Sequence, residues 1–163
     1  MNANLTEVVN AAGHEIVLRR VIHAPRERVW DAWTDPEQLA MWWGPDGFTT
    51  TTSEMDVRPG GVWRFVMHGP DGVDYLNRVH YLEVVKPSHM TYQHGGEGEH
   101  ESIQFHVTVT FEEIDGKTAV TLHSTFPTHE ERDRVMREHG ALEGGKQTLA
   151  RLDAYLQREA GKP

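Results

Sequence analysis

The sequence predicts an α+β domain in which a curved antiparallel sheet of six to seven strands packs around a long C-terminal helix, with two short helices after the first strand. Apolar and polar residues alternate without a break from Ile103 to Phe111, which is typical of a strand with one buried face. Tight-turn sequences join consecutive strands, and this favours an antiparallel sheet. Apolar residues at helical spacing run from Val135 to Leu156 near the C-terminus.

The first part of the domain contains one strand and two short helices. Glu15–His23 is rich in Val, Ile and Leu, which predicts the first strand. Pro25 suits the first turn of a helix. Asp35 and Pro36 end that helix and begin another, with Asp35 as its N-cap and Pro36 at its first position. The Gly-Pro pair at 44–45 ends the second helix.

Strands joined by turns fill the middle of the chain. Turns rich in Gly, Pro and Asp separate them, and the segment 94–100 (HGGEGEH) is predicted to be a flexible polar loop. The predicted strands lie at Phe48–Asp56, around Trp63–Met67, at Asp74–Val85, around Met90–Tyr92, at Ile103–Phe111 and at Val120–Phe126.

The last helix begins with a capping box, because Thr128 is followed three residues later by Glu131. Gly140, Gly144 and Gly145 interrupt its first half, and each glycine costs roughly 1 kcal/mol relative to alanine in a helix interior. We therefore expect a bend there, or a close approach of the helix to a bulky neighbour.

The composition describes one ordinary globular domain. The 163 residues have a formal net charge of −9 and no basic run that would follow phosphates, so neither nucleic acid nor an anionic membrane is expected as a partner. Cysteine is absent, which excludes disulfides and thiol catalysis and fits a cytoplasmic location. Residues 1–13 are predicted to form a flexible arm and residues 14–160 a single domain. A homodimer is possible.

Four of the five tryptophans lie between Pro25 and Pro45. So many large side chains must cover a thick core, a cavity wall or a partner. Trp33 and Trp42 lie on the inward side of the helices. Trp43 must point elsewhere because neighbours on a helix diverge, so one of the pair belongs at a cavity mouth or on the surface.

A curved sheet with helices on one face leaves a gap, and a gap lined by aromatic side chains suits a small hydrophobic molecule. Parity on the strand Asp74–Val85 does not decide which face is inward: Tyr75, Asn77 and Tyr81 share one face and Arg78 the other. An inward arginine would favour an anionic ligand. The residues predicted to bind the ligand are Trp42, Trp63, Phe65, Met67, Tyr81, Tyr92, Phe105, Met136, His139 and Gly140.

Enzymatic chemistry in the same cavity is the alternative. His139, Glu143 or Tyr81 would then act as general acids or bases. No nucleophile motif, phosphate-binding loop or metal-binding histidine spacing is present, so no catalytic residue, metal or cofactor is assigned.

Residues 14–157 resemble the activator of heat-shock protein 90 ATPase homologue family of the START-like (SRPBCC) superfamily. The segments VIHAPRERVWDAWTDPEQLAMWWGP, RPGGVWRFVMHGPDG, EVVKPSHMTY and VTVTFEEIDGKTAVTLHSTF and the Gly-interrupted last helix support the resemblance. It implies a helix-grip fold, with seven strands around a hydrophobic cavity. Superfamily members bind lipids, hormones and polyketides, and a few catalyse cyclisation, dehydration or hydrolysis.

The family name also suggests a third class, a chaperone-associated protein of the stress response. Eukaryotic co-chaperones of the family carry a separate N-terminal domain, which about thirteen leading residues would not replace. An exposed Trp43 together with a cavity filled by side chains would favour this class.

Overall fold

One antiparallel sheet dominates the computed structural model, which describes residues 6–10, 13–96 and 105–161, with the backbone alone at 10, 138 and 139. Within these residues the sheet has eight strands in the order β1-β2-β8-β7-β6-β5-β4-β3, so that only β2 and β8 are neighbours from distant parts of the chain. The strands are β1 Glu7–Asn10, β2 Glu15–Ile22, β3 Thr49–Met55, β4 Val62–His68, β5 Asp74–Val85, β6 His89–Gly96, β7 Phe105–Ile114 and β8 Lys117–Thr125.

The sheet has one strand more than the six to seven predicted, because part of the predicted N-terminal arm forms β1. Glu7 and Val8 pair with Arg19 and Leu18 of β2. Val8 and Val9 are both exposed, so this edge strand buries neither of its valines. Strand β1 is held by backbone hydrogen bonds to β2. Such pairing needs no alternation of apolar and polar residues, so the sequence contains no signal for this strand.

Two short helices follow β2 as predicted: α1 Arg26–Thr34 and α2 Pro36–Trp42. The Asp35 carboxylate accepts a hydrogen bond from the backbone N–H of Glu37 at 3.0 Å, which makes it the N-cap of α2. Val29, Ala32 and Trp33 are buried on one face of α1. The two helices pack against the sheet, with α1 against β7 and β8 and α2 against β3.

The C-terminal helical region contains the predicted long helix, α4 Ala141–Ala160, and a separate shorter helix before it, α3 His129–His139. Thr128 Oγ1 accepts a hydrogen bond from the N–H of Glu131 at 3.1 Å, as the capping box predicted. Gly140 adopts the left-handed conformation (φ 57°, ψ 40°), which ends α3 and precedes α4. The predicted bend is therefore a complete break. Among the described residues, no helix is both long and apolar enough to cross a membrane.

The start of α4 approaches the sheet closely because Gly145 has no side chain. A Cβ atom at this position would lie 2.5 Å from Leu18 Cδ1 of β2. A Cβ atom on Gly144 would lie at an ordinary 3.4 Å from Pro45 Cγ. The glycine at 145 thus sets the spacing between helix and sheet, which is the close approach that the sequence suggested as an alternative to a bend.

A buried carboxylate fixes the later part of α4. Asp153 is 1% exposed and accepts hydrogen bonds from Arg20 Nη2 at 3.1 Å, from the backbone N–H of His23 at 2.9 Å and from Gln157 Nε2 at 3.1 Å. Burial alone would raise the pKa of Asp153, but the hydrogen bonds from His23 and Gln157 outweigh it and hold the pKa below its ordinary value. The charged carboxylate therefore connects α4 to the end of β2.

Candidate functional site

A cavity of about 650 Å³ lies between the inner face of the sheet and α4. Its apolar wall comes from strands, helices and the segment after α2. That wall includes Ile16, Leu18, Trp33, Trp43, Pro45, Phe48, Met67, Phe105, Val107, Leu122, Val135 and Leu149. The described lining also includes seven residues with hydroxyl, amide, imidazole or guanidinium groups: Tyr75, Asn77, Tyr92, His94, Ser124, Arg134 and Thr148.

Three of the predicted ligand-binding residues line this cavity: Met67 on β4, Tyr92 on β6 and Phe105 on β7. They come from different strands, and the antiparallel sheet brings them together on its inner face. Their alternation along the strands is the signal that predicts them to face inward.

Trp42, Trp63 and Phe65 do not line the cavity, although they are almost completely buried. The reason is Trp43, whose ring centroid lies 5.1 Å from that of Trp63 and 6.1 Å from that of Phe65. Trp43 therefore contacts both rings and forms the cavity wall itself. The Trp42 indole N–H donates to the Ala32 carbonyl at 3.1 Å, inside the helix pair.

The structure shows which face of β5 points inward. Tyr75 and Asn77 line the cavity, and Tyr81 lies on the same face but is buried in the core, with its ring centroid 6.1 Å from that of Tyr92. Burial raises the pKa of the Tyr81 hydroxyl. Arg78 alternates with these residues and is not part of the lining, so it supplies no cation for an anionic ligand.

Two candidates on the C-terminal helices, Met136 and Gly140, are not among the residues that line the cavity. Met136 packs against the hydrophobic core, while Val135 is the apolar residue of α3 in the lining. Gly140 forms the junction between the helices, and the His139 side chain lies outside the described residues. Glu143 is exposed on α4, pairs with Lys146 at 3.1 Å and is not among the lining residues.

One polar residue of the cavity wall, His94, was not predicted from the sequence. His94 belongs to β6, not to the predicted loop, and it lines the cavity beside Asn77. Its Nε2 lies 3.0 Å from Asn77 Oδ1, and Asn77 Nδ2 donates to the Tyr75 carbonyl at 2.9 Å. Met90, Tyr92 and His94 alternate, so strand parity would have identified it had the following glycines not indicated a turn.

Apolar surroundings keep His94 uncharged. Its ring centroid lies 4.9 Å from that of Phe105 and 5.8 Å from that of Phe65. Burial lowers the pKa of His94 to about 4. At neutral pH the imidazole is therefore a neutral hydrogen-bonding group in the wall.

This pKa predicts a loss of stability in mild acid. An unfolded histidine titrates near 6.5, so between pH 6.5 and about 4 the unfolded chain binds a proton that the folded chain does not. We expect the free energy of unfolding to fall by about 2 kcal/mol more between pH 7 and pH 4.5 in the wild type than in His94→Gln. Urea unfolding at both pH values measures this difference. Equal falls would contradict the prediction, because the contribution of Asp153 is common to both proteins.

Two further groups extend the polar part of the wall. Burial raises the pKa of the Tyr92 hydroxyl, although the neighbouring Trp33 indole N–H acts in the opposite direction. That N–H is buried and forms no regular hydrogen bond with any residue that the structure describes. The apolar wall therefore contains a neutral hydroxyl and an indole donor.

Arg151 of α4 holds the chain after α2 in place. Its Nη1 donates to the carbonyl of Gly44 at 2.7 Å and to that of Pro45 at 2.9 Å. Trp43 and Pro45 in this segment are part of the cavity wall. Within the described ranges, no three His, Asp or Glu side chains are grouped so that they could hold a metal ion.

Comparison with protein families gives one assignment. Residues 23–157 match the model of the family described as Activator of Hsp90 ATPase homolog 1-like protein. A comparison with curated proteins gives no significant match.

Many solved structures share the fold. The crystal structure of protein Ms6760 from Mycobacterium smegmatis has a TM-score of 0.84 at 28% identity, covering 93% of this chain and 96% of that one. The solution structure of a protein from Arthrobacter aurescens has a TM-score of 0.84 at 28% identity, covering 93% of each chain. Protein CV1439 from Chromobacterium violaceum has a TM-score of 0.75 at 27% identity, covering 86% of this chain and 95% of that one.

Proposed function

The chain belongs to the Activator of Hsp90 ATPase homolog 1-like family, and on that premise we propose that its cavity binds a small, mostly apolar molecule. The observation that carries the proposal is the cavity of about 650 Å³ between sheet and helix, with an apolar wall and few polar groups. Small-molecule sites have this size and composition, because apolar walls supply affinity and a few polar groups fix orientation.

Two features favour this function over the chaperone-associated class. Trp43 is 8% exposed and forms part of the cavity wall, so it does not present an aromatic patch to a partner. The space between sheet and helix is open rather than filled by side chains. Both features support a site for a small molecule.

The enzymatic alternative has less support. Of its proposed acids and bases, Tyr81 is buried in the core and Glu143 is exposed at the surface. His94 does line the cavity, but its lowered pKa makes it a weak base at neutral pH. Binding without a reaction is therefore the proposal.

Titration with N-phenyl-1-naphthylamine, an uncharged dye that fluoresces in apolar surroundings, tests the proposal. We expect saturable binding of one dye per chain in the wild type. Ser124→Phe places a ring in the cavity and is expected to weaken binding by about tenfold or more, a loss of roughly 1.4 kcal/mol.

The matched control is Ser53→Phe, the same exchange at an exposed position of β3. We expect this variant to bind the dye like the wild type. The proposal is wrong if the wild type shows no saturable binding, or if a folded Ser124→Phe variant binds as tightly as the control.

A further inference from the structure

The hydrogen bonds around His94 determine which of its ring nitrogens carries the proton. The Tyr75 carbonyl can only accept, so the Asn77 amide nitrogen must face it, and Asn77 Oδ1 faces His94. That oxygen can also only accept. His94 Nε2 therefore carries the hydrogen, and Nδ1 of the neutral ring has the free lone pair.

This lone pair is available to a molecule in the cavity. Phe105 and Phe65 pack near the ring, and Nε2 is engaged with Asn77. His94 nevertheless keeps part of its surface accessible, and it is a lining residue of the cavity. Among the described residues, no hydrogen bond is made to Nδ1. An acceptor within an apolar wall is stabilised by a ligand that donates a hydrogen bond to it.

The charge of the wall indicates what kind of donor fits. Arg134 is the one charged residue in the described lining, and it lies exposed on α3. A carboxylate beside His94 would lose its hydration and face the lone pair of a neutral ring. An ammonium group would also be desolvated, with no described acidic residue in the lining.

We infer that the ligand of this cavity carries an uncharged hydroxyl group that donates a hydrogen bond to His94 Nδ1, as a phenol or an alcohol would. The inference rests on the proposed function and specifies its ligand class. The ligand is thus an apolar, neutral molecule with a hydrogen-bond donor at one end, rather than a fatty acid or another anion.

Three matched probes test the inference: 4-hydroxystilbene, 4-methoxystilbene and stilbene-4-carboxylate. The methyl ether keeps the oxygen but carries a methyl group in place of the hydrogen that the hydroxyl would donate. Quenching of the cavity tryptophans gives the dissociation constants. We expect the hydroxyl compound to bind roughly three- to tenfold more tightly than the methyl ether, as one hydrogen bond allows, and the carboxylate to bind more weakly than both.

The variant His94→Phe is expected to reduce the preference for hydroxyl over methoxy to about one. Its matched control is His80→Phe, at an exposed position of β5, which should keep the wild-type preference. Should His94→Phe not fold, ¹⁵N NMR of the wild-type imidazole replaces it. We expect the Nε2–H tautomer, and a shift of the Nδ1 resonance when 4-hydroxystilbene is added.

The outcomes separate this inference from the proposed function. Equal affinities for hydroxyl and methoxy probes, tighter binding of the carboxylate or an Nδ1–H tautomer would overturn the inference while the cavity still binds apolar molecules. Absence of binding for all three stilbenes and for N-phenyl-1-naphthylamine would overturn both. A hydroxyl preference that persists in folded His94→Phe would assign the recognition to another group and contradict the role of His94.

Discussion

Replacement of Asp153 by alanine is expected to lower the free energy of unfolding by about 3–5 kcal/mol. The Asp153 carboxylate accepts hydrogen bonds from the Arg20 side chain and from the backbone of His23. The Arg20 side chain is only 10% exposed, so the substitution leaves a nearly buried cation without its counter-charge. Urea unfolding at pH 7 measures the loss.

Glu143→Ala provides the matched control, since Glu143 is an acidic residue of the same helix that pairs with Lys146 at the surface. Exposed ion pairs contribute little, so the expected loss is less than about 1 kcal/mol. Similar losses of unfolding free energy in the two variants would show that the buried Asp153 contributes no more stability than an exposed acidic residue. An Asp153→Ala loss below about 1 kcal/mol would contradict its role in holding α4.

Trp42→Ala is the second substitution with a large expected effect, a loss of about 3–5 kcal/mol. The side chain is 0% exposed, and its ring centroid lies 4.9 Å from that of Trp33. Truncation leaves a cavity and removes the hydrogen bond to the Ala32 carbonyl. Denaturant unfolding followed by circular dichroism measures the loss without relying on tryptophan fluorescence.

Met41→Ala at the preceding residue is its control. Met41 is 55% exposed on the same helix, so the expected change is within about 0.5 kcal/mol. A loss well under 1 kcal/mol for Trp42→Ala would refute the claim that Trp42 packs in the core.

Local sequence signals predicted the elements well because each has a local physical cause. Asp35 and Thr128 both cap helices as expected, since a side-chain oxygen satisfies a free backbone N–H of the first turn. The alternation after Phe105 likewise identified the inner face of β7, which places Val107 in the cavity wall. The α+β class follows from such signals.

The cavity wall was harder to predict because parity identifies the inner face of a strand but not what covers it. Trp63 and Phe65 have the right parity, yet Trp43 from the end of α2 covers them. His94 precedes two glycines, and the turn signal concealed its place in β6. Both results depend on contacts between distant parts of the chain, which a single sequence does not contain.

The position of β8 has a consequence for the order in which the molecule assembles. Ile16 pairs with Ser124 and Ile22 with Thr118, so β2 finds its partner about a hundred residues further along the chain. Closing such a loop costs conformational entropy before any contact compensates for it, and topologies of this kind fold slowly. During synthesis, β2 cannot pair with β8 until β8 has been translated and has left the ribosome. The walls of the cavity can therefore form only after β8, and the helices that follow it, have been synthesised.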